Sequence, residues 1–335
     1  MFSNIRDSAL VIVVAHNNHV LLEHFVESIE KHNAGYPYEL LIIDNDSTDS
    51  KHLDALTKLS KKYRIETYEN DRVEVSFDKA CSKYKNQHQY YFFVHDDTCI
   101  NEDYWLKKYI ERLKSNYTEQ VINKTKFEKL PIGRVGSNHQ PWRDYNSIIG
   151  YPIRSEFVHD YLATIFLEEK IPTFYKFVDP ERVLYSNDCL VENNIFSLND
   201  FYAMKQKNIK AYKRKCEALN KTLLYPDEGI SPKSKYPPGE CWNKMTMLTE
   251  FMNSIFPLIN GFRSVGLEGD GFLEQRDGPD NPWGHRTVIH YGSPNLKRFL
   301  ANKFNTTGEE IHKKLYSKDK AFLVHCDKLI RGYFK

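Results

Sequence analysis

The chain has 335 residues, of which 41% are hydrophobic and 14% aromatic, and its formal net charge is +2 at pH 7. This length permits one large α/β domain or two smaller ones, and a charge near zero does not indicate a nucleic-acid partner. No apolar run approaches the roughly 20 residues that a membrane-spanning helix needs. The six cysteines show no CxxC spacing, so we expect neither a zinc site nor a disulfide framework, and a reduced, cytoplasmic environment fits best.

The first half of the chain alternates between strand and helix patterns. An apolar run at 9–15 predicts a buried strand, helical spacing follows at about 20–32, and ELLIID at 39–44 predicts a second strand that ends in an acidic turn. A helix at about 51–63, a short strand at 64–68, a helix at 77–84 and an apolar strand at 90–95 complete the series. Such alternation predicts an α/β fold with a mostly parallel central sheet flanked by helices.

The pattern is less regular after residue 131. IGRVGSN predicts one more strand, whereas residues 140–240 read as an irregular insertion with helical content near 197–219, which we expect to shape an acceptor region. Residues 296–335 predict a basic, helical C-terminal extension. Its apolar residues recur at near-helical spacing: Phe299, Leu300, Phe304, Ile311 and Leu315. Two interpretations are open, peripheral contact with an anionic membrane or packing on the chain's own domain with a solvated basic face, and we favour the second.

The most informative stretch is the strand YYFFV, which stops at His95, Asp96, Asp97 and Thr98. In open α/β sheets, ligands bind where such strands end. Two adjacent carboxylates repel each other unless a cation lies close, and a divalent metal beside a diphosphate substrate would supply it. The alternative is that Asp97 or Thr98 caps a helix that begins near Asn101.

The motifs of this chain and their order resemble glycosyltransferase family 2, whose members are nucleotide-sugar-dependent enzymes of the GT-A fold. The first strand ends in AHNN, the second in DNDSTD and the fourth in HDD, while LINGFR followed by GDGFLEQR and then VIHYGS lie far downstream. The resemblance implies a GT-A domain at 1–295 and a site that binds Mn²⁺ or Mg²⁺. The metal ligands that it implies are Asp97 and His290, although His290 could instead donate a hydrogen bond to the diphosphate.

The same resemblance implies a set of donor-binding residues: Ala15, His16, Asn17, Asp44, Asp46, Asn70, Lys79, His95 and Asp96. A carboxylate at a strand end, such as Asp44, can accept hydrogen bonds from a nucleobase or a ribose hydroxyl. Asp46 stands where the family usually has glycine. For the neighbouring Ser47 and Asp49 we favour a simpler role as caps of the next helix.

Two downstream motifs complete the implied site. Asp270 corresponds to the general base that removes the proton of the acceptor hydroxyl, with Glu268 as a rival. The chain departs from the family at Gly269, where Glu is usual, and at Phe272, where a second Asp is usual. Around His290, the amides of Gly292 and Ser293 are expected to face phosphate oxygens.

The resemblance implies a metal-dependent, inverting glycosyltransferase that uses a UDP-, GDP- or dTDP-linked sugar and acts on a glycan or lipid-linked acceptor. One alternative is a catalytically degenerate relative that binds nucleotide or carbohydrate, which the departures at His95, Gly269 and Phe272 leave open. Another is a sugar nucleotidyltransferase, although that class needs a glycine-rich loop after the first strand and AHNNHVLLE has no glycine. Cytoplasmic localisation, at a membrane surface or away from it, is the accompanying expectation.

Overall fold

The computed structural model describes residues 5–69, 73–115, 131–136, 139–142, 175–178, 182–193, 214, 261–267 and 286–334. Within these ranges, none of the helices combines the length and the apolar character that crossing a bilayer requires.

The predicted alternation of strands and helices in the first half of the chain is confirmed. Its elements are β1 (Arg6–Ala15), α1 (His19–Lys31), β2 (Tyr38–Asp44), α2 (Ser50–Leu59), β3 (Arg64–Thr67), α3 (Val73–Tyr84) and β4 (His88–His95). Asn18 caps α1 by accepting the Leu21 N–H, and Asp49 caps α2 by accepting the His52 N–H. Short polar side chains at these positions supply the acceptors that the first helical turn lacks, so both helices begin where the sequence indicates.

The remaining described elements follow β4. They are β5 (Thr98–Ile100), α4 (Trp105–Lys114), β6 (Ile132–Gly136), β7 (His139–Trp142), β8 (Tyr175–Val178), β9 (Arg182–Ser186), α5 (Asn187–Asn193), β10 (Arg263–Gly266), β11 (Val288–His290), α6 (Pro294–Phe304), α7 (Gly308–Leu315) and α8 (Lys320–Tyr333). The strand expected from IGRVGSN is β6. The helical content expected at 197–219 lies outside the described residues except for Arg214, which is helical.

A seven-stranded sheet forms the centre of the molecule, in the order β10-β6-β9-β4-β1-β2-β3. All neighbouring pairs are parallel except the two that involve β9, which runs antiparallel to both β4 and β6. The prediction of a mixed α/β fold with a mostly parallel sheet is therefore confirmed. A second, two-stranded sheet pairs β11 with β5, and this pairing brings residue 290 to the end of β4.

One expectation within the insertion is wrong. The sequence indicated irregular structure between 140 and 240, yet β9 lies there and occupies a central place in the sheet. Its apolar core is only Val183, Leu184 and Tyr185, and it begins with the charged Arg182. A run this short does not stand out from a loop. Arg182 is nevertheless buried, because its guanidinium donates to the carbonyl oxygen of Val288.

The core has apolar residues on both faces of the central strands, because helices cover the sheet on both sides. Residues 9–15 of β1 are all buried. On one face the Phe92 ring lies 5.2 Å from that of Trp105 on α4, and on the other the Phe93 ring lies 4.9 Å from that of Phe77 on α3. Strands buried on both faces explain why these segments read as continuous apolar runs.

The three C-terminal helices pack on the domain itself. Phe299, Leu300, Ile311 and Leu315 are buried in a cluster with Tyr291 and with residues of α1 and β5. The apolar residues of this segment are thus used for internal packing, as the favoured interpretation predicted. The boundary at 295/296 and a peripheral contact with a membrane remain predictions.

A buried histidine at the start of β4 gives the fold a pH dependence. The His88 ring is fully buried, with Nε2 at 2.7 Å from Arg6 Nη2 and Nδ1 at 2.9 Å from Ser8 Oγ. Burial, reinforced by the positive charge of Arg6, lowers the pKa of His88 to about 4, although Glu39 opposes the shift. The folded chain therefore holds this histidine neutral.

We expect the free energy of unfolding to fall as the pH drops from about 6.5, the ordinary pKa of histidine, towards 4. In that window the unfolded chain binds a proton at His88 that the folded chain does not, which costs roughly 3 kcal/mol across the whole window. Denaturant titrations at several pH values measure the slope, and His88→Gln is expected to make it shallower. An unchanged slope in the variant would contradict this assignment.

Candidate functional site

Three polar turns meet at one edge of the central sheet. Strands β1, β2 and β4 are parallel neighbours, so their carboxyl ends lie side by side, with Ala15 opposite Asp44 and Val14 opposite His95. Backbone hydrogen bonds join the turns, from Asn45 N to Ala15 O at 3.0 Å and from Asp96 N to Val14 O at 3.2 Å. The structure therefore brings the AHNN, DNDSTD and HDD motifs together.

The turn after β1 is held by the turn after β2. Asn17 has φ of 51°, and its side-chain oxygen accepts the N–H groups of Thr48 and Asp49 at 2.7 and 2.9 Å. His16 Nδ1 lies 2.8 Å from the carbonyl oxygen of Asn45. Ala15 is buried in β1, whereas His16 is exposed at the sheet edge. Asn17 is thus a structural clamp, and His16 is the residue of this turn that faces solvent.

The conformation of the turn after β2 explains why the family usually has glycine at the position of Asp46. Asp46 has φ of 57°, in the left-handed region that glycine adopts most easily, and its side chain is exposed. Asp44 is buried and accepts the Ser47 N–H at 3.2 Å. The predicted cap is confirmed for Asp49; Ser47 instead accepts the N–H of Asn17 at 3.0 Å.

The HDD motif forms a tight turn between β4 and β5. Asp96 and Asp97 are the turn residues, and Thr98 closes the turn by donating its hydroxyl to the carbonyl oxygen of His95 at 2.7 Å. The alternative in which Asp97 or Thr98 caps a helix is wrong, because Thr98 begins β5 and α4 begins only at Trp105. Helix capping therefore does not account for the adjacent carboxylates of Asp96 and Asp97.

The carboxylate of Asp97 has one paired and one unpaired oxygen. Asp97 is 6% exposed, and its Oδ2 lies 3.4 Å from His290 Nε2 and accepts the hydroxyl of Tyr316. Its Oδ1 is buried and has no hydrogen-bond partner among the residues that the structure describes. An unpaired buried carboxylate oxygen is costly unless a cation or ligand binds it.

The electrostatics of the two aspartates differ. Burial opposes ionisation of Asp97, but the imidazoles of His290 and His95 and the Tyr316 hydroxyl outweigh it, so the pKa of Asp97 lies well below its usual range. For Asp96, burial and then the charge of Asp97 raise the pKa well above the usual range. Asp97 is thus ionised, while Asp96 favours the protonated form. A cation bound beside them would favour ionisation of both carboxylates.

Gly292 makes room for this arrangement. A Cβ atom added there would lie 2.5 Å from Asp97 Oδ2, 2.6 Å from His290 Nε2 and 3.1 Å from the Tyr316 hydroxyl. Only glycine leaves space for the three side chains to converge. The amide of Ser293 donates to the carbonyl oxygen of His290 at 3.2 Å. The expectation that it faces a phosphate is therefore wrong, because a turn already uses it.

The other implied residues are placed as follows. Lys79 lies on α3, half-buried, with Nζ 5.6 Å from the centre of the Tyr68 ring. His95 is half-buried at the end of β4, 6.0 Å from the Phe77 ring. Asn70 and Asp270 lie outside the described residues, so their roles remain predictions.

Tyr316 is the site residue that the sequence did not reveal. It follows α7 immediately, 219 positions after Asp97 in the chain. No motif marks it, and only the packing of the C-terminal helices against β5 and β11 brings it to the HDD turn.

The donor set fits a divalent metal. Asp97 offers an ionised carboxylate with an unpaired oxygen, and His290 offers an imidazole nitrogen beside it. Carboxylate oxygen suits Mn²⁺ and Mg²⁺, and imidazole suits Mn²⁺ better than Mg²⁺.

Comparison with known proteins finds a family match for one part of the chain. Residues 10–167 match the family described as glycosyl transferase family 2. The resemblance seen in the motifs is thereby confirmed for this part of the chain, and with the sheet topology it confirms the predicted GT-A fold class. No curated protein matches the chain by sequence.

Three solved structures illustrate what the chain is similar to. The mannosyltransferase PcManGT from Pyrobaculum calidifontis, solved with GDP-Man and Mn²⁺, is 12% identical with a TM-score of 0.38 over 98% of this chain and 74% of its own. TarS from S. aureus, residues 1–349 with UDP, is 16% identical with a TM-score of 0.31 over 61% of this chain and 55% of its own. The bifunctional glycosyltransferase WbbM is 12% identical with a TM-score of 0.41, over 93% of this chain and 52% of its own.

Proposed function

From the match of residues 10–167 to glycosyl transferase family 2, we propose that this chain is a metal-dependent, inverting glycosyltransferase that moves a sugar from a nucleotide-sugar to an acceptor hydroxyl. The observation that carries the metal dependence is Asp97. Its carboxylate is buried and ionised, and one oxygen lacks a partner among the described residues, at the sheet edge where ligands of such folds bind.

The residues of the sheet edge have separate roles in this proposal. Asp97 and His290 would hold Mn²⁺ or Mg²⁺, which when bound would supply positive charge to neutralise the departing nucleoside diphosphate. His16, Asp46 and the protonated form of Asp96 offer exposed or half-buried polar groups to the donor's sugar and ribose hydroxyls. Hydrogen bonds of this kind orient the donor, and orientation lowers the barrier to transfer.

The acceptor side of the proposal depends on Asp270. Acting as general base, its carboxylate removes the proton from the acceptor hydroxyl while the acceptor oxygen bonds to the anomeric carbon. The bond from that carbon to the diphosphate oxygen breaks on the opposite face, so the configuration inverts. The donor class (UDP-, GDP- or dTDP-linked) and a glycan or lipid-linked acceptor are part of the same proposal.

Donor hydrolysis and nucleotide binding test this function. The purified chain is incubated with Mn²⁺ and a panel of UDP-, GDP- and dTDP-sugars, beginning with GDP-mannose, and release of nucleoside diphosphate is measured. Asp97→Asn is expected to lower metal-dependent turnover of the active donor by roughly a hundredfold, since charge stabilisation of this kind supplies several kcal/mol.

Two further variants separate the possible outcomes. Asp54→Asn removes an exposed carboxylate on α2 and is expected to behave like the wild type. Asp270→Asn is expected to retain metal and donor binding but to lose transfer. Binding without turnover in the wild type would favour the catalytically degenerate alternative, and no binding of any donor would contradict the function outright.

A further inference from the structure

The segment that joins α7 to α8 touches two of the three polar turns. We refer to residues 316–319 as the C-terminal connector. Tyr316 donates its hydroxyl to Asp97 Oδ2 in the HDD turn, and Lys318 Nζ lies 2.7 Å from Asp49 Oδ2 at the start of α2. Lys318 has φ of 63°, which directs the chain sharply between the two contacts. The C-terminal connector therefore crosses the sheet edge at the candidate metal carboxylate.

Tyr316 is fixed from its other side as well. Its ring lies 4.5 Å from that of His312, one turn earlier on α7, and His312 Nδ1 lies 3.4 Å from Lys297 Nζ on α6. The helices themselves are anchored in the apolar cluster through Ile311 and Leu315, both essentially inaccessible to solvent. The packing of α7 therefore fixes the position of the Tyr316 hydroxyl beside Asp97.

The hydrogen bond from Tyr316 gives the two oxygens of Asp97 different surroundings. Oδ2 receives Tyr316 and faces His290, whereas Oδ1 remains buried and without a partner among the described residues. A carboxylate with one oxygen already hydrogen-bonded presents a single oxygen to a cation. Small cations such as Mn²⁺ accept one oxygen readily, while the larger Ca²⁺ takes more oxygens and often uses both of a carboxylate.

We infer that Tyr316 is a positioning residue for metal binding, which orients Asp97 so that Oδ1 alone serves as ligand and Mn²⁺ is favoured over Ca²⁺. This inference rests on the proposed metal role of Asp97. It also gives the C-terminal helices a part in the site, since they carry the hydroxyl that restrains the ligand. Outer partners of metal ligands generally change metal affinity by 10–100-fold when they are removed.

Metal binding measured directly tests the inference. Free Mn²⁺ is followed by electron paramagnetic resonance during titration of the full chain, alone and with UDP, GDP or dTDP, and Ca²⁺ is then used as a competitor. Tyr316→Phe removes only the hydroxyl. We expect it to weaken Mn²⁺ binding by about tenfold and to lower the ratio of Mn²⁺ to Ca²⁺ affinity, while thermal unfolding still shows a cooperative transition of a folded chain.

Tyr333→Phe is the matched control, because it makes the same chemical change at a partly exposed position of α8. Wild-type affinity and ion preference in Tyr316→Phe would overturn the inference while leaving the metal role of Asp97 intact. An equal loss in Tyr333→Phe would also overturn it, since the effect would then be general. If the wild type binds no Mn²⁺ under any of these conditions, the metal role of Asp97 fails, and the inference fails with it.

Discussion

Gly292→Ala is expected to abolish metal-dependent donor binding while the chain still folds. The added Cβ would approach Asp97 Oδ2 and His290 Nε2 to about 2.5 Å, distances that real Cβ atoms essentially never show. The atoms that it meets are the ends of side chains, so those side chains move and the backbone stays. Because they are the candidate metal ligands, their displacement removes the site. Mn²⁺ affinity is expected to fall by roughly a hundredfold, equivalent to about 3 kcal/mol.

The measurement combines metal titration with thermal unfolding. Gly332→Ala is the control, because a Cβ added at this position of α8 meets no atom within 4 Å. Alanine favours helix over glycine by up to about 1 kcal/mol, so this control is expected to be neutral or slightly stabilising. Normal Mn²⁺ affinity in Gly292→Ala would show that Asp97 and His290 do not form the metal site together.

Arg331→Met is expected to destabilise the whole domain. Arg331 Nε donates to Asp327 Oδ2 at 2.7 Å, and its Nη2 donates to the carbonyl oxygen of Ile100 at 3.0 Å. Both charged side chains are largely buried, at 19% and 14% exposure. Removing the guanidinium leaves the largely buried charge of Asp327 without its Arg331 partner, which costs about 3 kcal/mol or more in a buried pair. Denaturant titration at neutral pH measures the loss.

A second ion pair on the same helix provides the comparison. Lys320 Nζ lies 2.8 Å from Glu27 Oε1, but the two side chains are 51% and 59% exposed. Lys320→Met is expected to cost less than about 1 kcal/mol, because water screens an exposed pair. Equal losses in Arg331→Met and Lys320→Met would contradict the role assigned to the buried pair.

The contacts of Arg331 also involve a group of side chains that has the composition of a metal site. Ligand atoms of His24, Cys99 and Asp327 lie within 4.8 Å of one another. The guanidinium of Arg331 already lies among them, with Nη2 at 3.2 Å from Cys99 Sγ, and the Tyr291 hydroxyl lies 3.0 Å from His24 Nε2 and 3.2 Å from Asp327 Oδ1. A cation and a hydroxyl donor therefore satisfy this carboxylate, in contrast to Asp97, and the cluster joins α8 to α1 and β5.

Local patterns were sufficient for the N-terminal half of the fold. Long apolar runs such as residues 9–15 mark strands buried on both faces, and a cap such as Asp49 marks a helix start. These signals depend on neighbours in the sequence, so they can be read from it. The strand β9 could not be predicted in this way, since its place between β4 and β6 depends on pairing with distant segments.

Some features of the candidate site can likewise be predicted from the sequence, whereas others depend on the tertiary structure. The sequence alone identifies the HDD turn as a candidate site, because the end of a strand is a local feature. Through its resemblance to glycosyltransferase family 2, the order of the motifs predicts a role for His290 and a nucleotide-sugar-dependent function. Tertiary structure decides which oxygen of Asp97 is unpaired, why Gly292 is needed and that Tyr316 belongs to the site. The physical reason is that these properties arise from contacts between residues more than 190 positions apart. The pairing of β5 with β11 and the packing of the C-terminal helices against these strands create those contacts.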